Sequence, residues 1–483
     1  MKYKPNSRHE ILPAWARRAL VCAAVVFCVG SLTYRASAGG GTLDWTFNVS
    51  GTATEDVGGD DEAYAAALQP DGKIVVAGST TPAGDPYHVR LALARFNPDG
   101  TADTTFGTGG KVVGAAESSG AHAVAVQTDG KILTAGFGPS DVRRFNPDGS
   151  VDTTFGTGGA TGRLLNPYAL LLQPDGKILV GGYLNVVYHN SDFAVVRYNP
   201  DGSPDTTFGT GGRATTEFFG SKDEIHALAL QPDGRVVAVG QSVWGSSNYY
   251  AALARYNADG SPDTGFGNSG KVITDFSPND GMKYHRLYAV AVQPDGRILA
   301  AGAARHYDDW DSFAAARYNY DGSPDLAFGN GGQVVTKILG LTATGNAVAL
   351  QPDGKFFVAG CASGSSGCYA TGSYALAHFN SNGTPDTDFG YNHTGQLTTQ
   401  VSGFGDTAAA ALLQPDGKLI VAGSSSNSSN LDFSVARYLT GSTRQPPAPP
   451  PAPPPAATKG DNDPAPPPSD GDIGPGENPP GTR

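Results

Sequence analysis

Residues 68–78 read Leu-Gln-Pro-Asp-Gly-Lys-Ile-Val-Val-Ala-Gly, and close variants of this stretch occur seven times at intervals of 46 to 63 residues. Pro presets the backbone of a turn, Gly supplies its positive-φ position, and the apolar runs on either side favour β-strands. The stretch therefore predicts a hairpin that is repeated seven times. The Gln that opens each turn stands at Gln69, Gln127, Gln173, Gln231, Gln293, Gln351 and Gln414.

A second recurring sequence motif follows each hairpin. In the first copy Arg95 precedes Asp99-Gly100, and Asp103 and Phe106 come after it. The last copy stops soon after Arg437 and lacks the Asp-x-x-Phe segment, but Asp44 to Phe47 supplies a matching segment near the start of the chain. A linear solenoid would not need this complement. The pattern predicts a ring closed by the N-terminal segment, which completes the last unit.

Each unit contains about four short β runs. In the fifth unit these are residues 271–275, 287–292, 297–301 and 312–318. Four strands per repeat in a radial arrangement make a β-propeller. We therefore predict an all-β chain that forms a seven-bladed β-propeller of four-stranded blades. The rival fold, a β-helix, usually has shorter repeats than these.

The quoted stretch, taken with Ala94 to Gly100 and Asp103 to Gly107, closely resembles the delta-60 repeat. That repeat is a domain of unknown function regarded as a β-propeller and is common in exported bacterial proteins. The resemblance covers about residues 43 to 440. It implies the fold but no activity, because no catalytic residue is attached to the repeat.

Composition agrees with an all-β chain. The 483 residues include 66 glycines and 35 prolines, which excludes a helical bundle, and the 39% of apolar residues excludes full disorder. Residues 39–440 are predicted to form the propeller. Residues 441–483 are rich in Pro and are predicted to form a disordered tail or spacer.

Residues 1–38 have the layout of a cleaved signal peptide. A basic leader precedes an apolar run from Ala19 to Val29, and Ala36-Ser37-Ala38 suits signal peptidase. The alternative is an uncleaved anchor, and Arg17-Arg18 leaves the export route open. We expect a secreted, periplasmic or cell-surface protein with no membrane span after cleavage.

Net charge and cysteine content limit the kinds of partner and metal that the protein is expected to bind. The leader has a net charge of +5, so its removal changes the total from −12 to −17, which argues against binding nucleic acid. Cys361 and Cys368 are predicted to form a disulfide, with two free thiols as the alternative. Two thiols are too few for a metal site, so no metal is predicted there.

One Arg and one Asp recur in almost every unit. A residue needed in every blade is structural, because an active site needs only one copy, so these are interpreted as polar pairs within the blades. Asn97 to Asp103 also loosely resembles a calcium loop, but Asn and Asp before Gly are ordinary turn residues. No cofactor is expected, with calcium left as an alternative. The paired residues are Arg95, Asp103, Arg144, Asp152, Arg197, Asp205, Arg255, Asp263, Arg317, Asp325, Arg437 and Asp44.

The candidate ligand site comes from departures from the repeat. Equivalent positions on a ring lie at one height around its axis, and the position five residues before each Gln is mostly Tyr or His. These residues are predicted to line the channel mouth and to bind a polar or carbohydrate-like ligand, unless they cap strands or pack between blades. They are Tyr64, His122, Tyr168, His226, Tyr288 and Asn346, with Ala409 in the seventh unit.

The variable loops rich in Ser, Asn, Gly and Tyr form a second candidate surface, on one rim. They are residues 79–90, 183–191, 241–248, 303–311, 361–372 and 424–431. No residue is assigned a catalytic role. The function hypothesis is a monomeric binding module at the cell envelope whose partner is an unknown protein or glycan. The alternatives are a propeller hydrolase or lyase acting on an extracellular ester, lactone or glycan, and a passive structural or adhesive protein.

Overall fold

A computed structural model of the protein describes residues 40–85, 87–115, 120–186, 190–245, 248–277, 283–305, 311–364 and 371–441. The predicted leader lies outside these residues, as do Cys368 and all of the predicted tail except Gly441. In these eight segments, no helix is both long enough and apolar enough to cross a bilayer.

The described chain consists of short, mostly antiparallel strands in seven groups, numbered here as sheets in chain order. Sheets 4 and 5 are joined into one eight-stranded sheet by a parallel contact of Tyr249 with Tyr284, and sheet 2 has three strands instead of the predicted four. Sheet 1 contains β3 (Gly59–Leu68), β4 (Ile74–Pro82), β5 (Arg90–Phe96) and β6 (Lys111–Val113). Sheet 2 contains β7 (Ala123–Val126), β8 (Ile132–Ala135) and β9 (Val142–Phe145). Sheet 3 contains β10 (Asn166–Leu172), β11 (Ile178–Asn185), β12 (Ser191–Tyr198) and β13 (Arg213–Thr216).

The later sheets repeat this order. Sheet 4 contains β14 (Asp223–Leu230), β15 (Val236–Trp244), β16 (Asn248–Tyr256) and β17 (Lys271–Thr274). Sheet 5 contains β18 (Tyr284–Val292), β19 (Ile298–Arg305), β20 (Ser312–Tyr318) and β21 (Gln333–Thr336). Sheet 6 contains β22 (Thr342–Leu350), β23 (Phe356–Ser363), β24 (Ser373–Phe379), a 3-10 turn (Tyr391–His393) and β25 (Gln396–Thr399). Sheet 7 contains β26 (Asp406–Leu413), β27 (Leu419–Ser426) and β28 (Leu431–Leu439), joined by β1 (Thr42–Leu43) and β2 (Thr52–Glu55).

The repeated Gln-Pro-Asp-Gly turn connects the first two strands of a sheet. In sheet 1 the amide of Gly72 donates to the carbonyl of Gln69 at 2.9 Å, and Gly72 has φ of 84°. Glycine tolerates this left-handed conformation without strain. The turn thus reverses the chain and sets β3 against β4.

The outer strand of the fifth unit differs from the sequence prediction. Residues 271–275 were expected to open the fifth unit, but β17 pairs with β16 and so forms the outer edge of sheet 4. The assignment to the fifth unit is therefore wrong. After the Asp-x-x-Phe turn the chain reverses and meets the strand it has just left, so the fourth strand stays with the preceding three.

Packing between sheets follows a cyclic order. Six apolar clusters lie between consecutive sheets from sheet 1 to sheet 7. A further cluster contains Ile74 of sheet 1, Val435 of sheet 7 and Phe47 from the N-terminal segment, so sheet 7 also packs against sheet 1. Face-to-face packing of small sheets in this order is that of a β-propeller.

The N-terminal segment contacts the last strand of sheet 7. Thr42 pairs with Leu439 in β1, and β2 pairs with β28 from Thr52 opposite Ala436 to Glu55 opposite Phe433. We call this contact of β1 and β2 with β28 the seam.

Candidate functional site

The recurring Arg and Asp residues meet side by side in six sheets. Arg95 Nε donates to Asp103 Oδ2 at 2.6 Å, and both side chains are buried. The sixth of these pairs crosses the seam, where Arg437 Nε donates to Asp44 Oδ2 at 2.8 Å. The other four have distances of 2.7 to 2.8 Å and join Arg144 to Asp152, Arg197 to Asp205, Arg255 to Asp263 and Arg317 to Asp325.

Each of these guanidinium groups also reaches the next sheet. Arg144 Nη1 donates to the carbonyl of Pro200 in sheet 3 at 2.8 Å, and Arg437 Nη1 donates to the carbonyl of Pro98 in sheet 1 at 2.6 Å. The guanidinium of Arg144 stacks over Phe155 with 4.4 Å to the ring centroid. The pair therefore joins neighbouring sheets as well as strand and turn.

Acid should unfold the protein steeply between about pH 4 and pH 2. Burial raises the pKa of Asp44, but Thr46, Lys418 and Arg437 outweigh it and bring the pKa to about 2. The pKa values of Asp103, Asp152 and Asp205 are also lowered. An unfolded Asp titrates near pH 3.9, so this stabilisation is present above that pH and is lost as the pH falls through the folded pKa. Circular dichroism across a pH series measures the midpoint.

Other buried groups have opposing effects at milder pH. Burial lowers the pKa of His122 to about 4 and that of His226 to about 3, so protonation of the unfolded chain weakens folding below about pH 6.5. Burial also raises the pKa of Asp61 and Asp223 to about 6, which favours folding as the pH falls through that value. We expect these effects to offset each other, and a midpoint near pH 5 would contradict this account.

A β-bulge occurs at the same position of the first strand in six of the seven sheets, all except sheet 2. In sheet 4, Ile225 pairs with Gly240 and Ala227 with Val239, which leaves His226 as the extra residue. A Cβ at Gly240 would lie 1.9 Å from the carbonyl oxygen of Glu224, so only glycine permits this pairing. Bulges re-aim side chains, and the recurrent glycine that ends each hairpin is what makes room for this one.

The predicted channel residues of sheets 1 to 5 contact one another in sequence; four of them lie at bulges, and His122 directly precedes β7. The ring centroids of Tyr64 and His122 are 4.6 Å apart and nearly parallel. His122 and Tyr168 are 5.3 Å apart, Tyr168 and His226 are 5.3 Å apart, and His226 and Tyr288 are 5.1 Å apart. Each of the five side chains is partly exposed. These five rings form a continuous aromatic arc across sheets 1 to 5, and we call it the arc.

The opposite side of the axis is different. Asn346 and Ala409 occupy the same bulge position in sheets 6 and 7, and Asn346 Nδ2 donates to the carbonyl of Ala408 at 2.8 Å. Neither side chain adds a ring to the arc. At this position of the repeat, sheets 1 to 5 therefore carry rings and sheets 6 and 7 carry small side chains.

Polar groups stand beside the arc. Tyr64 donates its hydroxyl to Glu62 Oε2 at 2.6 Å, and Gln241 Nε2 donates to Glu224 Oε2 at 2.7 Å. Within the described part of the chain, His226 Nε2 is buried and has no hydrogen-bond partner. A buried polar atom without a partner is costly unless water or a ligand reaches it.

The sequence analysis missed two further rings. Phe137 lies 4.7 Å from His122 and 5.1 Å from Tyr168, and Tyr183 lies 6.0 Å from Tyr168, between ring centroids. Both residues directly follow the recurrent glycine of their hairpins. Tyr183 pairs with Asn166, two residues before Tyr168, so the spacing of this position in the repeat was the available signal.

The other candidate residues lie away from the arc. Asp99 Oδ1 accepts from the amide and hydroxyl of Thr101 at 3.0 and 2.7 Å, which is a local turn. Cys361 lies on β23 and is disulfide-bonded, but Cys368 is outside the described residues, so their pairing stays a prediction. Trp244, the last residue of β15, stacks on Phe219 with 5.9 Å between the ring centroids.

A family model described as "Domain of unknown function (DUF5122) beta-propeller" matches seven segments that make up just over half of the chain. The chain belongs to the DUF5122 β-propeller family. The matches confirm the resemblance to a propeller repeat of unknown function. The segments are residues 69–106, 127–155, 173–208, 231–266, 293–328, 351–389 and 414–444.

Solved structures give only distant likenesses. A catalytically inactive virginiamycin B lyase from Staphylococcus aureus with quinupristin is 11% identical with a TM-score of 0.40, and the match covers 80% of this chain and 98% of that one. A Dyadobacter fermentans protein of unknown function is 12% identical with a TM-score of 0.41, and the match covers 80% of this chain and 97% of that one. A PL25 ulvan lyase is 10% identical with a TM-score of 0.40, and the match covers 80% of this chain and 95% of that one. At these values the likeness supports no inference about activity. No curated protein matches the chain.

Proposed function

We propose that this propeller is an exported, monomeric binding module of the cell envelope and that its arc binds a glycan. The observation that carries the proposal is the run of five partly exposed rings in contact at one level. Aromatic faces bind the C–H faces of sugar rings, and a few convergent polar groups fix orientation. The leader-like sequence of residues 1–38 supports export.

The proposal includes a ring of seven blades closed at the seam. Three features support it: the pairing of β2 with β28, the contact of Asp44 with Arg437, and the donation from Arg437 to Pro98 of sheet 1. A closed ring would fix the equivalent positions of all seven sheets around one axis. It would thereby give the arc a rigid shape before any ligand binds, which lowers the entropic cost of binding.

Substitution of the central ring should weaken glycan binding. Tyr168 contacts the rings of both neighbours in the arc, and loss of an aromatic contact costs about 1 kcal/mol, or roughly fivefold to tenfold in affinity. Isothermal titration with a panel of neutral and uronic oligosaccharides compares Tyr168→Ala and His226→Ala with the unaltered chain. Melting temperatures show whether the variants remain folded.

The rim provides the matched control. Trp244 is 58% exposed and stacks on Phe219, and among the described ring contacts neither residue touches a ring of the arc. Trp244→Ala should leave glycan affinity unchanged. If this variant loses binding and Tyr168→Ala does not, the ligand sits on the rim and the arc proposal fails.

A hydrolase or lyase is the second candidate, and one observation favours it. The pKa of His226 near 3 keeps its imidazole neutral, and its unpartnered Nε2 lies among the phenol rings of Tyr168 and Tyr288. A neutral imidazole can accept a proton, although a pKa far below the working pH makes a weak base. Turnover of esters, lactones or glycans that is abolished by His226→Ala would establish the enzyme, and binding without turnover supports the module.

A further inference from the structure

Arg286 lies beside the last ring of the arc. It is in β18, two residues before Tyr288, and its Nη1 donates to the Tyr288 hydroxyl at 3.5 Å. The guanidinium also lies over the ring of Tyr249, 4.6 Å from the centroid. Burial lowers the pKa of His226 to about 3, with Arg286 and His122 adding to the shift, so the positive charge of Arg286 acts on the arc.

Arg286 departs from the repeat. In each sheet one position lies two residues before the residue that the sequence places at the channel mouth, and only in sheet 5 is it a cation. Across the strand pair Arg286 faces Ala303, whose methyl group offers no hydrogen bond. The blade does not require a cation here, so the presence of Arg286 needs another explanation. The equivalent residues of the other six sheets are Glu62, Gly120, Asn166, Glu224, Thr344 and Thr407.

The guanidinium of Arg286 has no carboxylate partner. Among the described residues it forms no ion pair, and its buried Nε has no hydrogen-bond partner. Asp311 accepts instead from Arg305, at 2.7 Å from Nε and 3.1 Å from Nη2. Glu224 accepts from Gln241 Nε2 at 2.7 Å. Buried charges in proteins are normally paired, so an anion from outside the chain would complete this site.

We propose that Arg286 binds the carboxylate of a uronic acid, so that the ligand of the arc is an acidic glycan. This inference rests on the proposed glycan site and names the class of sugar that it takes. A planar guanidinium can donate two parallel hydrogen bonds to one carboxylate. The sugar that carries this carboxylate would stack on Tyr288, next to the unpartnered Nε2 of His226. The chain as a whole has a net charge of −12, so an anionic ligand needs a local cation of this kind.

Isothermal titration with an oligogalacturonate and with its methyl ester tests this inference, because the two ligands share one sugar backbone and differ in charge. The unaltered chain should bind the acid about tenfold to hundredfold more tightly, since hydrogen bonds to charged groups are the stronger ones. Arg286→Gln should bind the two ligands alike. Its melting temperature should be no lower than that of the unaltered protein, because it removes a cation that has no ion-pair partner.

Arg213→Gln is the matched control. Arg213 lies in β13, the outer strand of sheet 3, so this variant removes one positive charge away from the arc. It should keep the full preference for the acid. Equal binding of acid and ester by the unaltered chain would overturn the assignment of an acidic ligand and leave the glycan site in place. If no oligosaccharide binds, the glycan site itself is wrong. A preference for the acid that survives Arg286→Gln would refute the role of Arg286.

Discussion

Asp44→Ala should lower the free energy of unfolding by about 3–5 kcal/mol, because it leaves the buried guanidinium of Arg437 without its carboxylate. Lys418 Nζ also lies 3.0 Å from Asp44 Oδ2 and would lose the same partner. A substitution near the start of the described chain would thereby destabilise its last strand, 393 residues away. Urea unfolding followed by circular dichroism measures the change.

Asp103→Ala is the control for this prediction. Asp103 makes the same contacts within sheet 1, with Arg95 Nε at 2.6 Å and Lys73 Nζ at 2.9 Å. If the seam is a junction like the others, the two variants should lose similar stability. A near-neutral Asp44→Ala beside a destabilised Asp103→Ala would show that the N-terminal segment only rests on the ring.

Gly302→Ala should cost about 3 kcal/mol of stability and weaken ligand binding as well. A Cβ at residue 302 would lie 1.9 Å from the carbonyl oxygen of Arg286, and this oxygen belongs to the backbone and cannot rotate away. Overpacking of this kind typically costs about 1–3 kcal/mol. The strand shift that relieves the clash would move the bulge at Tyr288 and so displace one end of the arc.

Gly162→Ala separates this effect from the general cost of replacing glycine. Nothing lies within 4 Å of a Cβ at residue 162, and its φ is not in the left-handed region. We expect this variant to melt close to the unaltered protein and to bind equally well. Equal losses in the two variants would mean that the close approach at Gly302 does not control the bulge.

Much of the fold could be predicted from spacing alone. The repeat of Gln, Gly, Arg and Asp showed the number of units, and the incomplete last copy drew attention to Asp44. The membership of β17 in sheet 4 could not be read from the period, because a repeat boundary can be drawn at any point of a cycle. Only pairing with β16 decides it.

The sequence predicted that the residues of the arc occupy equivalent positions in the repeat, but it did not predict which of their rings are in contact. Spacing placed Tyr64 and His122 at equivalent positions, yet it could not show that their rings stack 4.6 Å apart. The repeat does not show that Asp56, Asp61 and Asp432 lie close together. Their proximity depends on how the two ends of the described chain meet, which is a long-range property.

One exception in the repeat has a mechanical consequence. Sheet 6 has His378 where the other sheets have Arg, and its imidazole contacts Gln351 and Asp386 of the same sheet. Among the described contacts it makes no hydrogen bond to sheet 7, whereas each Arg reaches a carbonyl of the next sheet. We therefore expect the border between sheets 6 and 7 to be the weakest of the junctions between sheets. On heating or under pulling force, sheets 6 and 7 should separate before other neighbouring sheets do, and amide hydrogen exchange should be fastest along their border.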